Sequence, residues 1–225
     1  MSFAANVQRI VRKEVQAELR SREITVTTGL FAALLTVLAS LAFYLDTVSA
    51  RTIAPGVLWL TITFAGLLAA GRSWAREREH DVMRALLLAP IPRGAIYLGK
   101  TLSVLSFLLV VEALLVPLVS ILFHLSYDGV LGRFLVLLGT GTFAFVGASM
   151  LFAALSVRSS ARELVLSILV FPLVAPALLV AVVATRELFG GASPAETWAW
   201  VRILVAFDLT FLVAGLVLFE PLVGE

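Results

Sequence analysis

The sequence predicts an all-α integral membrane protein: six transmembrane helices, an N-terminal interfacial amphipathic helix and a cytoplasmic charged, amphipathic helix between spans two and three. Three observations predict it. Of 225 residues, 60% are hydrophobic and 14% charged, whereas a soluble domain carries about 25% charged residues. Mean hydropathy is +1.03. The apolar residues gather into six long runs, and the Lys and Arg residues alternate between the loops that join them.

A helix needs about 20 apolar residues to cross about 30 Å of hydrocarbon. Residues 24–45, 55–71, 95–123, 131–156, 164–185 and 200–219 meet or approach this. In lipid every backbone N–H and C=O must be satisfied within its own segment, so such runs are helices. The second is short; the third and fourth are long enough to tilt. Residues 24–225 thus form one six-span domain, preceded by residues 1–23.

Placing the N-terminus in the cytoplasm puts thirteen Lys and Arg residues inside. They are Arg9, Arg12, Lys13, Arg20 and Arg22; Arg72, Arg76, Arg78, Arg84, Arg93 and Lys100; and Arg158 and Arg162. Four lie outside, Arg51, Arg133, Arg186 and Arg202. The positive-inside rule therefore sets both termini in the cytoplasm.

Residues 1–23 do not read as a cleaved signal, because Glu14, Glu18 and Glu23 interrupt the basic region and the following apolar run is too long. Residues 7–20 read as an amphipathic helix, with Val7, Val11, Val15 and Leu19 on one face and Arg9, Lys13, Gln16 and Arg20 on another. Such a helix is expected to lie in the interface plane, basic side toward the headgroups.

The most elaborate polar element lies between spans two and three, from Arg72 to Lys100. Arg76, His80 and Arg84 share one side of a predicted helix over 75–88, and Glu77 and Asp81 share another. Val82, Leu86 and Ala89 form an apolar stripe, with Met83 and Leu87 beside it. Pro90 and Pro92 stop the helix. A charged end with an apolar stripe suits insertion into a groove of another protein, and it equally suits packing on the chain's own bundle. Arg76, Glu77, Glu79, Asp81, Val82, Met83, Leu86 and Leu87 are the candidate docking residues.

Several motifs are weighed and set aside. Gly94 to Thr101 fits G-x-x-x-x-G-K-[ST], but a phosphate-cradling loop follows a strand and opens a soluble helix. Here the interior is Ala, Ile, Tyr and Leu, and Thr101 leads into a span. Lys100 is expected to snorkel to the headgroups instead. There is no cysteine, so neither a disulfide nor a thiolate metal site is available. His124, near Tyr127 at the outer end of span three, is a candidate metal or haem ligand, but a lone interfacial histidine has no companion ligand and is set aside. No H-E-x-x-H or G-x-S-x-G is present, which argues against an enzyme.

Glu112 in span three and Asp208 in span six are intramembrane carboxyls. Such groups are costly and face protein or water, as substrate-facing acids or as helix-pairing hydrogen-bond groups. Pro117, Pro172 and Pro176 allow kinks. Thr140, Ala144 and Ala148 form a small-residue face on span four. No inverted three-plus-three repeat is evident.

The arrangement resembles the permease subunits of ABC-2 type transporters. ARTIAPGVLWLTITFAGLLA (50–69), REREHDVMRALLLAPIPRGAIYLGK (76–100), LLGTGTFAFVGAS (137–149) and LVLSILVFPLVAPALL (164–179) are similar to the haem exporter protein B family. The chain departs at Glu79-His80-Asp81, where the family often carries Asp-Gly. The resemblance implies a non-catalytic inner-membrane permease for cytochrome c maturation, paired with a separate ABC ATPase subunit, two copies of each. It further implies three other partners: a haem-handling membrane subunit, a small subunit and a haem chaperone. No nucleic acid is expected, and no cofactor of its own; haem is the expected cargo of the complex. Two other readings stay open: an ABC-2 permease for another substrate, and a non-transporting scaffold that passes ATPase motion to partners. Glu112 and Asp208 facing a shared cavity would favour transport.

Overall fold

The computed structural model describes residues 2–43, 47–79, 90–156 and 162–224. Among them every regular element is a helix: α1 Phe3–Ser21, α2 Glu23–Ala42, α3 Thr47–Glu79, α4 Arg93–Phe123, α5 Leu131–Ser156, α6 Arg162–Phe189 and α7 Pro194–Gly224. The last six are long and apolar enough to cross a membrane. The chain is an all-α, multi-pass integral membrane protein.

Helix α3 corrects the expectation of a short second span, because it runs for 33 residues with Pro55 inside it. Pro55 is the ninth residue of this helix, so it removes the intrahelical hydrogen bond that an N–H there would make to the Arg51 carbonyl, and the helix continues through it. Pro117, Pro172 and Pro176 likewise sit inside continuous helices. Pro92 sits where a break was expected, immediately before α4 begins at Arg93.

The bundle is layered. In α5, 72% of the most apolar window is buried, and in α3 67%, against 22% in α2 and 28% in α7. Helices α3 and α5 are therefore central. Helix α5 packs most extensively on α6 and α7, α2 packs on α3 and α4, and α1 lies along α4. Leu30, Leu114, Ile121, Leu179 and Val217 point outward. Outward leucine is the rule where lipid is the solvent, so packing rather than hydrophobicity holds these helices together.

Two close approaches show that packing. Trp59 of α3 lies on the Gly141 backbone, where a Cβ would collide with its ring. Its indole N–H donates to Thr185 Oγ1 of α6 at 2.8 Å, which ties α3, α5 and α6 at one level. Tyr97 of α4 lies against Gly215 of α7 in the same manner, and its hydroxyl donates to the Gly147 carbonyl of α5 at 3.0 Å. Ala144 and Ala148 are buried as the small-residue face requires. The close approach of Trp59, however, falls on Gly141, which that spacing did not include.

Helix α1 is amphipathic, but its buried face differs from the expected stripe. Asn6, Val7, Ile10, Glu14 and Glu18 are buried, whereas Leu19 is 69% exposed. Arg9, Arg12, Lys13 and Arg20 form the exposed side. The inward face holds two carboxylates because two basic helix ends lie opposite it.

Candidate functional site: a charged junction at the ends of α1, α3 and α4

Helix α1 starts on a Ser2 cap, whose hydroxyl accepts from the Ala5 N–H at 3.4 Å. It ends at Arg22, a left-handed residue with φ 54°. The Arg22 N–H bonds the Glu18 carbonyl at 2.6 Å, so one residue turns the chain from α1 into α2. Arg22 gives α2 no side-chain cap. Glu18 acts instead, its Oε1 accepting from the Thr25 N–H at 2.7 Å. A carboxylate at the positive end of a helix dipole is favourable.

The other oxygen of Glu18 accepts from Arg76 Nη2 at 2.9 Å. Arg76 also donates to Ser21 Oγ at 3.2 Å and lies 3.8 Å from Glu23. One turn earlier, Arg72 pairs with Glu23 at 2.7 Å. Thus the far end of α3 is held to the joint between α1 and α2. Of these pairs Arg76–Glu18 is the least exposed, and exposed pairs contribute little.

Lys100 forms the centre of the junction. It is fully buried, which corrects the expectation that it snorkels. Its Nζ lies 3.2 Å from Glu14 Oε1, 3.4 Å from the Ser73 carbonyl oxygen and 5.0 Å from the Trp74 ring centroid. An ammonium removed from water requires such partners, and the ring face adds cation–π attraction. Gly99 makes room beside it: a Cβ there would meet Ile10 at 2.7 Å. The apparent nucleotide motif is thereby explained as packing. Gly94 to Thr101 run through the first turns of α4, with Gly94 against Leu216 and Phe3. The Thr101 hydroxyl donates to the Tyr97 carbonyl.

Of the candidate docking residues, Arg76 belongs to this junction, and Glu77 and Glu79 end α3. Asp81, Val82, Met83, Leu86 and Leu87 lie outside the described residues. The segment that carries them joins α3 and α4, and α1 grips both helices where it attaches.

Glu112 and Asp208 are both buried. Glu112 accepts from Thr142 Oγ1 of α5 at 2.6 Å, an interhelical hydrogen bond of the helix-pairing kind. Asp208 Oδ1 has no hydrogen-bond partner among the described residues. Neither carboxyl lines the cavity between α2 and α4 or the one at the end of the bundle opposite α1. His124 caps α4 in the left-handed region, its carbonyl accepting from Arg51. Among the described residues no three His, Asp or Glu side chains are grouped as metal ligands.

Sequence reasoning missed the part played by Glu14, Glu18, Ser73 and Trp74. The signal was present in the fourfold spacing of Glu14 and Glu18, which puts two acids on one helix face. A lysine at the start of an apolar run was the other half of that signal.

The chain is 34% identical over 145 residues to heme exporter protein B of Paracoccus denitrificans, covering 63% of this chain and 65% of that protein. It is 28% identical to heme exporter protein B of Pseudomonas aeruginosa, over 80% of each chain. With the Bradyrhizobium diazoefficiens protein of the same name identity is 27%, over 92% of this chain and 91% of that one. The chain thus spans just under two thirds of the Paracoccus protein and most of the other two. The profile of the CcmB protein family matches residues 5–219, from the first turn of α1 to the last turns of α7, and the chain belongs to that family.

Proposed function

We propose that this chain is the membrane permease subunit of an ABC complex for cytochrome c maturation in the bacterial inner membrane. A separate subunit hydrolyses ATP, and this chain converts that stroke into haem delivery or release of a haem-loaded chaperone. The observation that carries the reading is the family match from residue 5 to 219, with relatives named heme exporter protein B. The partners are the ATPase, the haem-handling membrane subunit, the small subunit, the haem chaperone and a second copy of this chain. Haem is cargo rather than a resident cofactor.

The coupling residues are Arg76, Glu77, Glu79, Asp81, Val82, Met83, Leu86 and Leu87. Val82, Met83 and Leu86 enter the ATPase groove, each supplying roughly 1.5–3 kcal/mol if fully buried. The charged residues fix orientation more than affinity. The junction supports this reading because a lever works only from a firm base. Arg76 and Lys100, which flank the segment, are both bonded to α1. The Glu112–Thr142 bond supports mechanical transmission through the bundle over an acid-lined path in one chain.

The test is mass spectrometry of the complex purified in mild detergent, with Met83→Asp and Leu86→Asp variants. We expect the wild-type chain to carry an ATPase and a haem-handling partner. The variants should insert normally, lose the ATPase and fail to mature cytochrome c. Variants that keep wild-type ATPase stoichiometry and maturation would overturn the coupling assignment. A wild-type complex with an ATPase but no haem-handling partner would favour an ABC-2 permease for another substrate.

A further inference from the structure

Four arginines sit toward the end of the bundle opposite α1: Arg51, Arg133, Arg186 and Arg202. Two of them bind their own surroundings. Arg133 donates to the Ala192 carbonyl at 2.6 Å and contacts Thr197 Oγ1 at 3.2 Å, which pins the α6–α7 connection. Arg202 Nε donates to the Trp198 carbonyl one turn back.

The other two line one cavity of about 490 Å³. Arg51 spends its Nε on the His124 carbonyl at 3.0 Å, and its two terminal nitrogens have no partner among the described residues. The Arg186 carbonyl accepts from the Gly190 N–H at 3.0 Å, but its side chain has no hydrogen bond or ion pair among the described residues. Asp128 lies in the same cavity, but its carboxylate accepts from the Ser126 hydroxyl at 2.6 Å and forms no ion pair with either arginine. The side chains facing the cavity thus carry two positive charges and one negative. The wall beside them is apolar, with Leu125, Val130, Leu188 and Phe189. Phe189 is held in place by Tyr127 and Phe134, with ring centroids 5.5 and 5.6 Å away.

The depth of these arginines identifies the ligand chemistry. Arg51 lies two residues inside the start of the apolar stretch Ser49–Arg76, and Arg186 three residues before the end of Pro172–Phe189. Side chains at such positions reach the layer of lipid phosphates, and aromatic rings are favoured at the same depth. A guanidinium presents a planar fork that matches a phosphate. Basic pockets between membrane helices hold acidic headgroups on the cytoplasmic side of membranes, and the same charge pairing is available at the outward end. An apolar wall next to the fork suits the upper acyl region of the same molecule.

We propose that this cavity binds the phosphate of an anionic phospholipid in the leaflet at the end opposite α1. The two arginines grip the phosphate, Leu188 and Phe189 face the start of the acyl chains, and Asp128 disfavours a second negative charge.

Native mass spectrometry of the detergent-purified complex tests this, with added phosphatidylglycerol, phosphatidylethanolamine, phosphatidylcholine or inorganic phosphate. The wild type should retain phosphatidylglycerol in preference to the other three. Arg186→Gln should reduce its retention about fivefold, and Arg51→Gln with Arg186→Gln should abolish it. Asp128→Asn should increase it, and Arg202→Gln should leave it unchanged. Arg186→Gln and Asp128→Asn decide the matter even if the Arg51 variant fails to fold, because neither removes a contact between helices. Retention unchanged in both would overturn the site. A loss in Arg202→Gln equal to that in Arg186→Gln would overturn it as an effect of charge alone. Equal retention of either zwitterionic lipid, or of inorganic phosphate, would overturn the assignment to an anionic lipid.

Discussion

Glu14 and Lys100 are 86 residues apart in sequence, and their charged atoms meet 3.2 Å apart where both side chains are buried. The pair joins the middle of α1 to the third turn of α4. Removing one partner from a buried pair costs up to about 3–5 kcal/mol, less where other partners remain, as Lys13 does for Glu14 at 3.4 Å and the Ser73 carbonyl for Lys100 at 3.4 Å, whereas replacing both can be neutral. We therefore expect Glu14→Gln and Lys100→Met each to lower thermal stability in detergent, and the double variant to recover most of the loss. Additive losses would show that the two side chains act independently.

Gly99 is where α1 comes closest to α4. A leucine there must displace Ile10 and crowd the Val7 carbonyl. Overpacking of this kind costs about 1–3 kcal/mol, and here the peripheral helix α1 gives way first. The chain has no cysteine, so Val7→Cys, at a buried position of α1 outside the ion pair, can serve as a reporter in an otherwise unreactive protein. It should resist thiol labelling in the wild-type background and label readily with Gly99→Leu. Equal labelling in both would show that α1 stays seated.

Glu18 serves two helices, capping α2 through one oxygen and binding Arg76 through the other. Loss of a helix cap alone costs about 0.5–2 kcal/mol, and Glu18→Ala also strips Arg76 of its least exposed partner. Arg76→Ala leaves the cap intact. Thermal denaturation should therefore rank Glu18→Ala as the more harmful of the two; the reverse order would mean that the cap contributes little.

The charge asymmetry predicts that both termini are cytoplasmic and that residues 46–54, 124–130 and 186–199 face outward. Single cysteines can map this with a membrane-impermeant reagent. Labelling from outside should reach position 128 and fail at position 79. Labelling at 79 from the outside would reverse the topology, although every helix contact described above would stand.

Lys100→Ala supplies a check on the apparent nucleotide motif. If ATP binds only on a partner protein, the variant complex keeps wild-type nucleotide affinity once assembled. Loss of ATP binding with assembly preserved would place a nucleotide site on this chain.

The sequence by itself determined the all-helical membrane class and the six long apolar helices. Both follow from a local constraint, since a backbone in hydrocarbon must satisfy its own hydrogen bonds over about 20 residues. The family was legible as well, in the apolar runs of spans two and five and in the LLLAPIPRGAIYLGK segment. Other features depended on which helix faces which. Periodicity put Glu14 and Glu18 on one face of α1, but it could not say that Lys100 and Arg76 lay opposite. A lysine beside headgroups and a lysine buried against a glutamate have the same local sequence. The same holds for Glu112, whose partner Thr142 is 30 residues away on another helix. Charge and hydropathy along a chain fix where a segment sits relative to lipid. The partner of a buried charge is fixed only when the helices pack, because most polar groups removed from solvent then find a complement within hydrogen-bonding distance.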